Sequence, residues 1–426
     1  MKTRPRLLHS LCILSLLLFA AAGSVEAVNF DAAIAQAVNR NPELQAARQE
    51  IAKAEGRLLQ SGRLSNPEVE TSARMQRLVS QGQESQFGLG FAQAFPITNR
   101  LRLEKQVAQL DVERARAEVR NRERIVAGET ARAFIDALRA REKVVQSDAA
   151  MAVAGESAKL VAERFAGGQA TESEVGLAQL EGIRLRAEMQ AQQGEAAALL
   201  VVLKQKVGLK PDAPFELGDS LSEVIAHLES RAAGGLNRAD LDALGITAEQ
   251  ARVSQELADK EKWGDWKLRL DYETARTEDE PLGYRRDHSI GLGVSIPLPL
   301  WNRNEGRIAE QRAAEEQARF EAVARRSLIA SALGEAKKRL GGLRASLGTV
   351  REQTFPLLDK TEAGLLDAYK KRGADLTQLF LVRRERNVTR QNEVATLGDI
   401  ATALSNLETE RGTHPALRRA SGKTSK

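Results

Sequence analysis

The chain has 426 residues, enough for two or three ordinary domains. Its 63 Lys and Arg nearly balance its 58 Asp and Glu, and a formal net charge of +5 gives no electrostatic footprint for nucleic acid. A single cysteine and four histidines leave little material for disulfides, thiolate chemistry or a soft-metal centre.

Residues 1–27 read as a secretory signal. Lys2, Arg4 and Arg6 form its basic start, LCILSLLLFAAA (residues 11–22) its apolar core, and Val25-Glu26-Ala27 its cleavage site. The cysteine, Cys12, lies inside this segment and follows Leu11, so a lipoprotein cut is not expected. The exported chain would then be cysteine-free. No later segment has the roughly 18 apolar residues of a spanning helix, which leaves a soluble periplasmic protein or entry into a membrane as β-strands.

After a first helix, two strands are predicted at about 67–76 and 86–97. Val69, Thr71, Ala73 and Met75 alternate with Glu68, Glu70, Ser72 and Arg74; Phe87, Leu89, Phe91 and Phe95 alternate with Gly88, Gly90, Ala92 and Ala94. Period two is the mark of a strand with two unlike faces. Residues 99–207 then read as a long helical hairpin, rich in Ala, Leu, Glu, Arg and Gln and turned by Gly167-Gly168. Residues 208–235 form a connector with Pro211 and Pro214.

The second half, residues 236–412, repeats the order. A helix precedes strands at about 264–275 and 287–300. Trp266, Leu268, Leu270 and Tyr272 alternate with Lys267, Arg269, Asp271 and Glu273, and Ile290, Leu292 and Val294 with Gly291, Gly293 and Ser295. A second hairpin spans about 302–411 and turns at Gly373. A basic tail, 413–426, is expected to be disordered. Its SGKTS does not make a phosphate loop, because Leu417 occupies the place of the required glycine.

The repeat is visible in the letters. GLGFAQAFPITNR (88–100) and GLGVSIPLPLWNR (291–303) share six of thirteen positions at an offset of 203. In each copy a proline, Pro96 or Pro299, ends the ladder, and Asn99-Arg100 or Asn302-Arg303 starts the helix, with asparagine as the N-cap. Of 17 aromatic residues, eight fall in 87–95 and 263–301, as an interfacial girdle would place them. Four strands cannot close a barrel, and open edges are not tolerated in hydrocarbon. Strands must be pooled between copies: eight in a dimer, twelve in a trimer.

With this duplicated order, these two phrases, and the turns in ERFAGGQATESEV and AYKKRGADLTQLF, the chain resembles the TolC-type outer-membrane efflux factors. The PLPLWNRNEG phrase is similar to the branch that serves cobalt–zinc–cadmium and other heavy-metal pumps of the resistance-nodulation-division class. The resemblance implies a mostly α fold of long hairpins, with four transmembrane strands per chain entering a trimeric 12-stranded β-barrel. It implies an outer-membrane location with a helical tunnel in the periplasm, and no enzyme activity and no cofactor. It implies a homotrimer among outer-membrane lipid, partnered by a periplasmic adaptor and an inner-membrane pump, with heavy-metal cations as cargo. A multidrug or type I secretion channel shares the fold, and a soluble periplasmic coiled-coil adaptor or scaffold is the alternative of a different class.

The same resemblance places the periplasmic tip, where an adaptor would bind, at Phe165, Gly168, Thr171, Glu172, Tyr369, Gly373, Asp375, Thr377 and Gln378. Thr171, Glu172, Asp375 and Thr377 are the nearest polar side chains able to cap the returning helices or to bond a partner. Some relatives carry an aspartate ring beyond the second glycine; the corresponding positions are Leu379 and Val382. His227, His288 and His414 are far apart in sequence, so no metal site is expected. Glu68, Glu70, Asp271 and Glu273 read as solvated lumen charge.

Overall fold

The computed structural model describes residues 27–75, 84–231, 235–279, 282–371 and 375–414. The signal segment up to residue 26, Gly373 and the tail from 415 lie outside the described residues. The chain divides into two compact units, one of residues 1–44, 123–237 and 332–426, the other of 45–122 and 238–331.

The second unit holds the strands. β1 (Glu68–Met75), β2 (Ser85–Phe95), β3 (Trp266–Asp279) and β4 (Gly283–Ser295) form one antiparallel sheet in the order β1-β2-β3-β4. The register keeps unlike residues apart. Val69 faces Phe91, Phe91 faces Leu270 and Leu270 faces Leu292, whereas Glu70, Gly90, Asp271 and Gly291 make the adjacent row. One face is therefore apolar across all four strands. It is also uncovered: Ile290 is 78% exposed and Leu292 73%. Below the sheet, α2 (Pro42–Gln60) packs Ala54 against Val112 and Ala115 of α3 (Arg100–Ala166), and Leu103 packs with Val253 and Leu257 of α6 (Ala239–Glu261). α7 (Glu305–Thr349) also begins in this unit.

The other unit is helical. Its core joins α1 (Phe30–Arg40), the middle of α3, the end of α4 (Glu172–Val207), α5 (Leu221–Ser230) and the last third of α9 (Leu376–Arg411). Phe30 meets Phe134 edge-on at 5.6 Å. The connector contains α5, opened by Ser220 and Glu223 in a capping box that the sequence reading passed over. Before α8 (Phe355–Lys370), residues Val350–Thr354 widen into a π turn in which the Phe355 N–H reaches the Val350 carbonyl. Pro356 explains it. Proline cannot donate to the carbonyl four residues back and its ring crowds that carbonyl; a wider turn relieves both faults. No described helix is long and apolar enough to cross a membrane.

Two left-handed glycines end helices with different consequences. At Gly168 (φ 67°) a Cβ would meet nothing within 4 Å, so Gly168→Ala is expected to cost only the conformational strain, about 1 kcal/mol. At Gly412 (φ 71°) a Cβ would fall 1.9 Å from the Asn237 carbonyl oxygen. Gly412→Ala is expected to cost roughly 3 kcal/mol or more and to lower the melting temperature well beyond Gly168→Ala.

A charged cluster closes this core. Asp31 accepts from Arg231 through both its oxygens and from His227 at 2.9 Å. Burial alone would raise the Asp31 pKa, but these bonds outweigh it and hold the carboxyl at about 2. His414, 3.8 Å from Asp31 and near the Phe30 ring, is pushed by burial down to about 4. A histidine with a depressed folded pKa contributes its full stability above about pH 6.5 and loses it as pH falls toward 4, a difference of about 3 kcal/mol. Burial raises the neighbouring Glu408 carboxyl, which works in the opposite direction. The His414→Phe protein isolates the histidine. Its melting temperature should fall less than that of the native chain between pH 6.5 and 4, and parallel curves would refute the assignment.

Candidate functional site

The hairpin tips come together in the helical unit. Val161 of α3, Ala178 of α4, Tyr369 of α8 and Leu376 and Leu379 of α9 share one buried cluster. Thr171 caps α4, and its partner in the capping box is Glu174, not Glu172. The motif was readable as Thr-x-x-Glu. Asp375 caps α9 by accepting from the Thr377 N–H at 3.3 Å, and the Gln378 N–H reaches the Asp375 carbonyl at 3.2 Å.

Exposure sorts the predicted tip residues. Phe165, Gly168, Thr171, Glu172, Asp375, Thr377 and Gln378 are exposed, whereas Tyr369 is only 2% exposed. Tyr369 lies on the inside of the tip. The Arg164 guanidinium stacks 4.2 Å from its ring centroid and donates to its carbonyl oxygen and, at 3.2 Å, to that of Gln169. The Tyr369 hydroxyl donates to Glu174 at 3.4 Å. Burial, and then the Glu174 charge, push the phenol above its ordinary pKa. Leu379 is buried in the same cluster.

A second tie lies farther along the hairpins. Glu362 accepts from Arg383 Nε at 2.9 Å and from Arg386 at 2.6 Å, and Arg383 also donates to the Ser157 hydroxyl. Arg164, Glu174, Glu362 and Arg383 were not singled out in the sequence. Their partners are some 20 to 230 residues away, and only packing brings them together.

The two strand-to-helix junctions are not equivalent. After Pro96, the Asn99 carbonyl accepts the first N–H groups of α3, and Arg100 makes two bonds to Asp265 at 2.8 and 3.0 Å as well as one to Glu104. After Pro299 the helix begins later, at Glu305. Asn302 accepts the Asn304 N–H at 3.0 Å in a turn of its own, while Asn304, with φ 62°, carries the first helical acceptor and bonds the Ala258 carbonyl through its side chain at 2.8 Å. Asn304 therefore takes the cap position expected of Asn302. Two asparagines two residues apart compete for it, and asparagine tolerates the left-handed backbone that the later start requires. Arg303 is exposed.

The polar face of the sheet has its own order. Charged side chains of β1 and β3 lie over small residues of β2 and β4. Arg269 bonds Asp271 at 2.7 Å and Glu70 at 2.8 Å, and a Cβ at Gly90 would come within 2.8 Å of the Asp271 carboxylate. Glycine at that position leaves room for the ion pairs. Among the described residues, no group of three or more His, Cys, Asp or Glu side chains could hold a metal.

A four-stranded sheet with an uncovered apolar face, joined to two long hairpins that meet at their tips, defines the protomer fold of the TolC-type outer-membrane channels. Several solved structures share it, among them three of outer-membrane proteins. The outer membrane protein VceC of Vibrio cholerae is similar with TM-score 0.68 and 18% identity, over 90% of this chain and 96% of that one. CusC gives 0.71 and 13%, over 89% and 91%. The MtrE outer membrane channel of Neisseria gonorrhoeae gives 0.67 and 14%, over 90% and 88%. In sequence, the chain is 24% identical to the cobalt-zinc-cadmium resistance protein CzcC of Cupriavidus metallidurans over 348 residues, 77% of each protein. No protein-family model matches the chain.

Proposed function

We propose that this chain is the outer-membrane subunit of a tripartite efflux pump that passes heavy-metal cations from the periplasm to the exterior. The uncovered apolar face of the sheet carries the reading. Phe87, Leu89, Phe91, Leu268, Leu270, Ile290 and Leu292 are all exposed together, and a soluble scaffold would have to leave that whole face in water. Three copies would pool twelve strands into one barrel, with apolar side chains toward lipid and the Glu70–Arg269–Asp271 pairs toward the lumen.

The half-repeats, 28–207 and 236–412, then serve one design twice. Each sends a strand pair through the membrane and a hairpin toward the pump. The exposed residues around Gly168 and Asp375 form the end that an adaptor would engage, and energy comes from the inner-membrane partner. The likeness to CzcC supports a metal as cargo.

The test is metal tolerance. A deletion strain should lose resistance to zinc, cobalt or cadmium, and the full chain should restore it. Unchanged tolerance to all three and to copper would overturn the metal assignment. A soluble monomer in the absence of detergent would overturn the channel.

A further inference from the structure

The chain has three tryptophans, and all lie at or just beyond one end of the sheet. Trp266 opens β3, opposite Phe95 at the end of β2. Trp263 precedes it by a few residues, and Trp301 follows β4, which ends at Ser295. The two halves differ here. IPLPLWNRN, nine residues from 296 to 304, separates β4 from α7, whereas only PITN, residues 96–99, separates β2 from α3. The longer segment is apolar as far as Trp301. No charged residue occurs from 289 to 301, in a chain that is 28% charged. Leu298 and Leu300 are exposed, and Trp301 is 93% exposed.

This strap is seated on its own chain. A Cβ on Gly264 would come within 2.7 Å of the Pro297 ring, so the strap lies directly on the turn between Trp263 and Trp266. Its backbone asks little of water. Pro297 and Pro299 have no N–H, and the Leu300 N–H reaches the Leu298 carbonyl at 2.9 Å. Half of the six positions from Ile296 to Trp301 thus present no free donor.

Continuity identifies what covers it. Ile296 keeps the two-residue period of Ile290, Leu292 and Val294. The strap therefore prolongs the rows that the functional reading gives to lipid. A neighbouring copy would pair with the free edge of β4 in the plane of the sheet, whereas this row points out of that plane. Depth follows from the backbone. An irregular segment is not tolerated in hydrocarbon, and tryptophan favours the headgroup level.

We propose that residues 296–301 form an interfacial anchor in the headgroup and glycerol layer of a phospholipid leaflet, the inner leaflet of the outer membrane, with Trp301 as its main contact. The proposal rests on the outer-membrane reading, which puts the helix end of the sheet at the periplasmic boundary. The anchor fixes how deep the sheet sits. It ties the second strand pair to the leaflet below, while the first pair, with its short turn, has no such tie.

The experiment makes Trp301 the sole fluorophore. Trp263→Phe with Trp266→Phe is prepared in the full chain and reconstituted in vesicles of phosphatidylethanolamine and phosphatidylglycerol. Part of the lipid is brominated, either near the glycerol end of its chains or near their methyl ends. Trp301 emission should lie to the blue of that of the unfolded chain. Shallow bromine should quench it more than deep bromine, and acrylamide in the water several-fold less than it quenches the unfolded chain. Trp301→Phe should remove the same shallow-quenched component from native emission, which keeps the test decisive if the double variant fails to fold. Leu298→Asn with Leu300→Asn should raise the acrylamide quenching of Trp301.

Acrylamide quenching as strong as in the unfolded chain would put the strap in water and overturn the proposal. Quenching by neither bromine nor acrylamide would overturn it in favour of contact with a second copy. Stronger quenching by deep bromine would overturn the interfacial placement. Absence of the native chain from the outer-membrane fraction would defeat the functional reading, whereas a conducting channel with Trp301 in water or against protein would defeat this inference alone.

Discussion

If the tip ties hold the proposed channel narrow, the Arg164→Ala protein is expected to conduct more readily in planar bilayers than the native protein. Arg164 lies in the last turn of α3, and its guanidinium bonds the Tyr369 carbonyl at the end of α8 while covering the Tyr369 ring. Truncation leaves that carbonyl without its donor in a residue only 2% exposed, at a cost of about 1–3 kcal/mol. The lost cation–π contact adds roughly 1 kcal/mol. A change of about 3 kcal/mol shifts a two-state equilibrium on the order of a hundredfold.

Tyr369→Phe is the matched control. It removes only the long 3.4 Å bond to Glu174 and keeps the ring under Arg164, so its effect should be much smaller. Native conductance in Arg164→Ala, together with a lowered melting temperature, would make the contact purely structural.

What the sequence disclosed follows from the range of the forces involved. The faces of the sheet were legible because a strand alternates strictly, so Leu268, Leu270 and Tyr272 declare their side without knowledge of a partner. The long helices were legible from composition, and local capping chemistry narrowed the caps to Thr171, Glu172, Asp375 and Thr377, of which Thr171 and Asp375 do cap. The tip ties were not. The long-range bonds of Arg164, Tyr369 and Glu174 leave no local trace, although Glu174 also completes a local capping box, and Tyr369, read as a surface residue of the tip, proves to be its buried centre. The π turn lies outside the sequence reading, which runs the second hairpin straight through Pro356. The second junction failed for a related reason. Asn302 and Asn304 are equally good caps by type, and the choice between them was made by the Ala258 carbonyl, 46 residues away.

Leu270→Arg should abolish assembly in the membrane, while Ser289→Arg should not. Leu270 lies in the middle of the apolar rows, paired with Phe91 on one side and Leu292 on the other. An arginine at the midplane of a barrel's lipid face costs about 2–4 kcal/mol. In the proposed trimer, three copies bring the total to roughly 10 kcal/mol, comparable with the whole stability of a folded domain. Ser289 faces Glu273 on the opposite side of the same sheet, where the existing charges already meet water. An arginine there adds a solvated cation beside a carboxylate and should alter selectivity without hindering assembly. The measurement is the amount of protein in the outer-membrane fraction and its yield as a detergent-resistant oligomer. Should Ser289→Arg fail to assemble and Leu270→Arg succeed, the two faces would be reversed. The proposed barrel would then be inside out, with the row of Phe91, Leu270 and Leu292 toward the lumen instead of lipid.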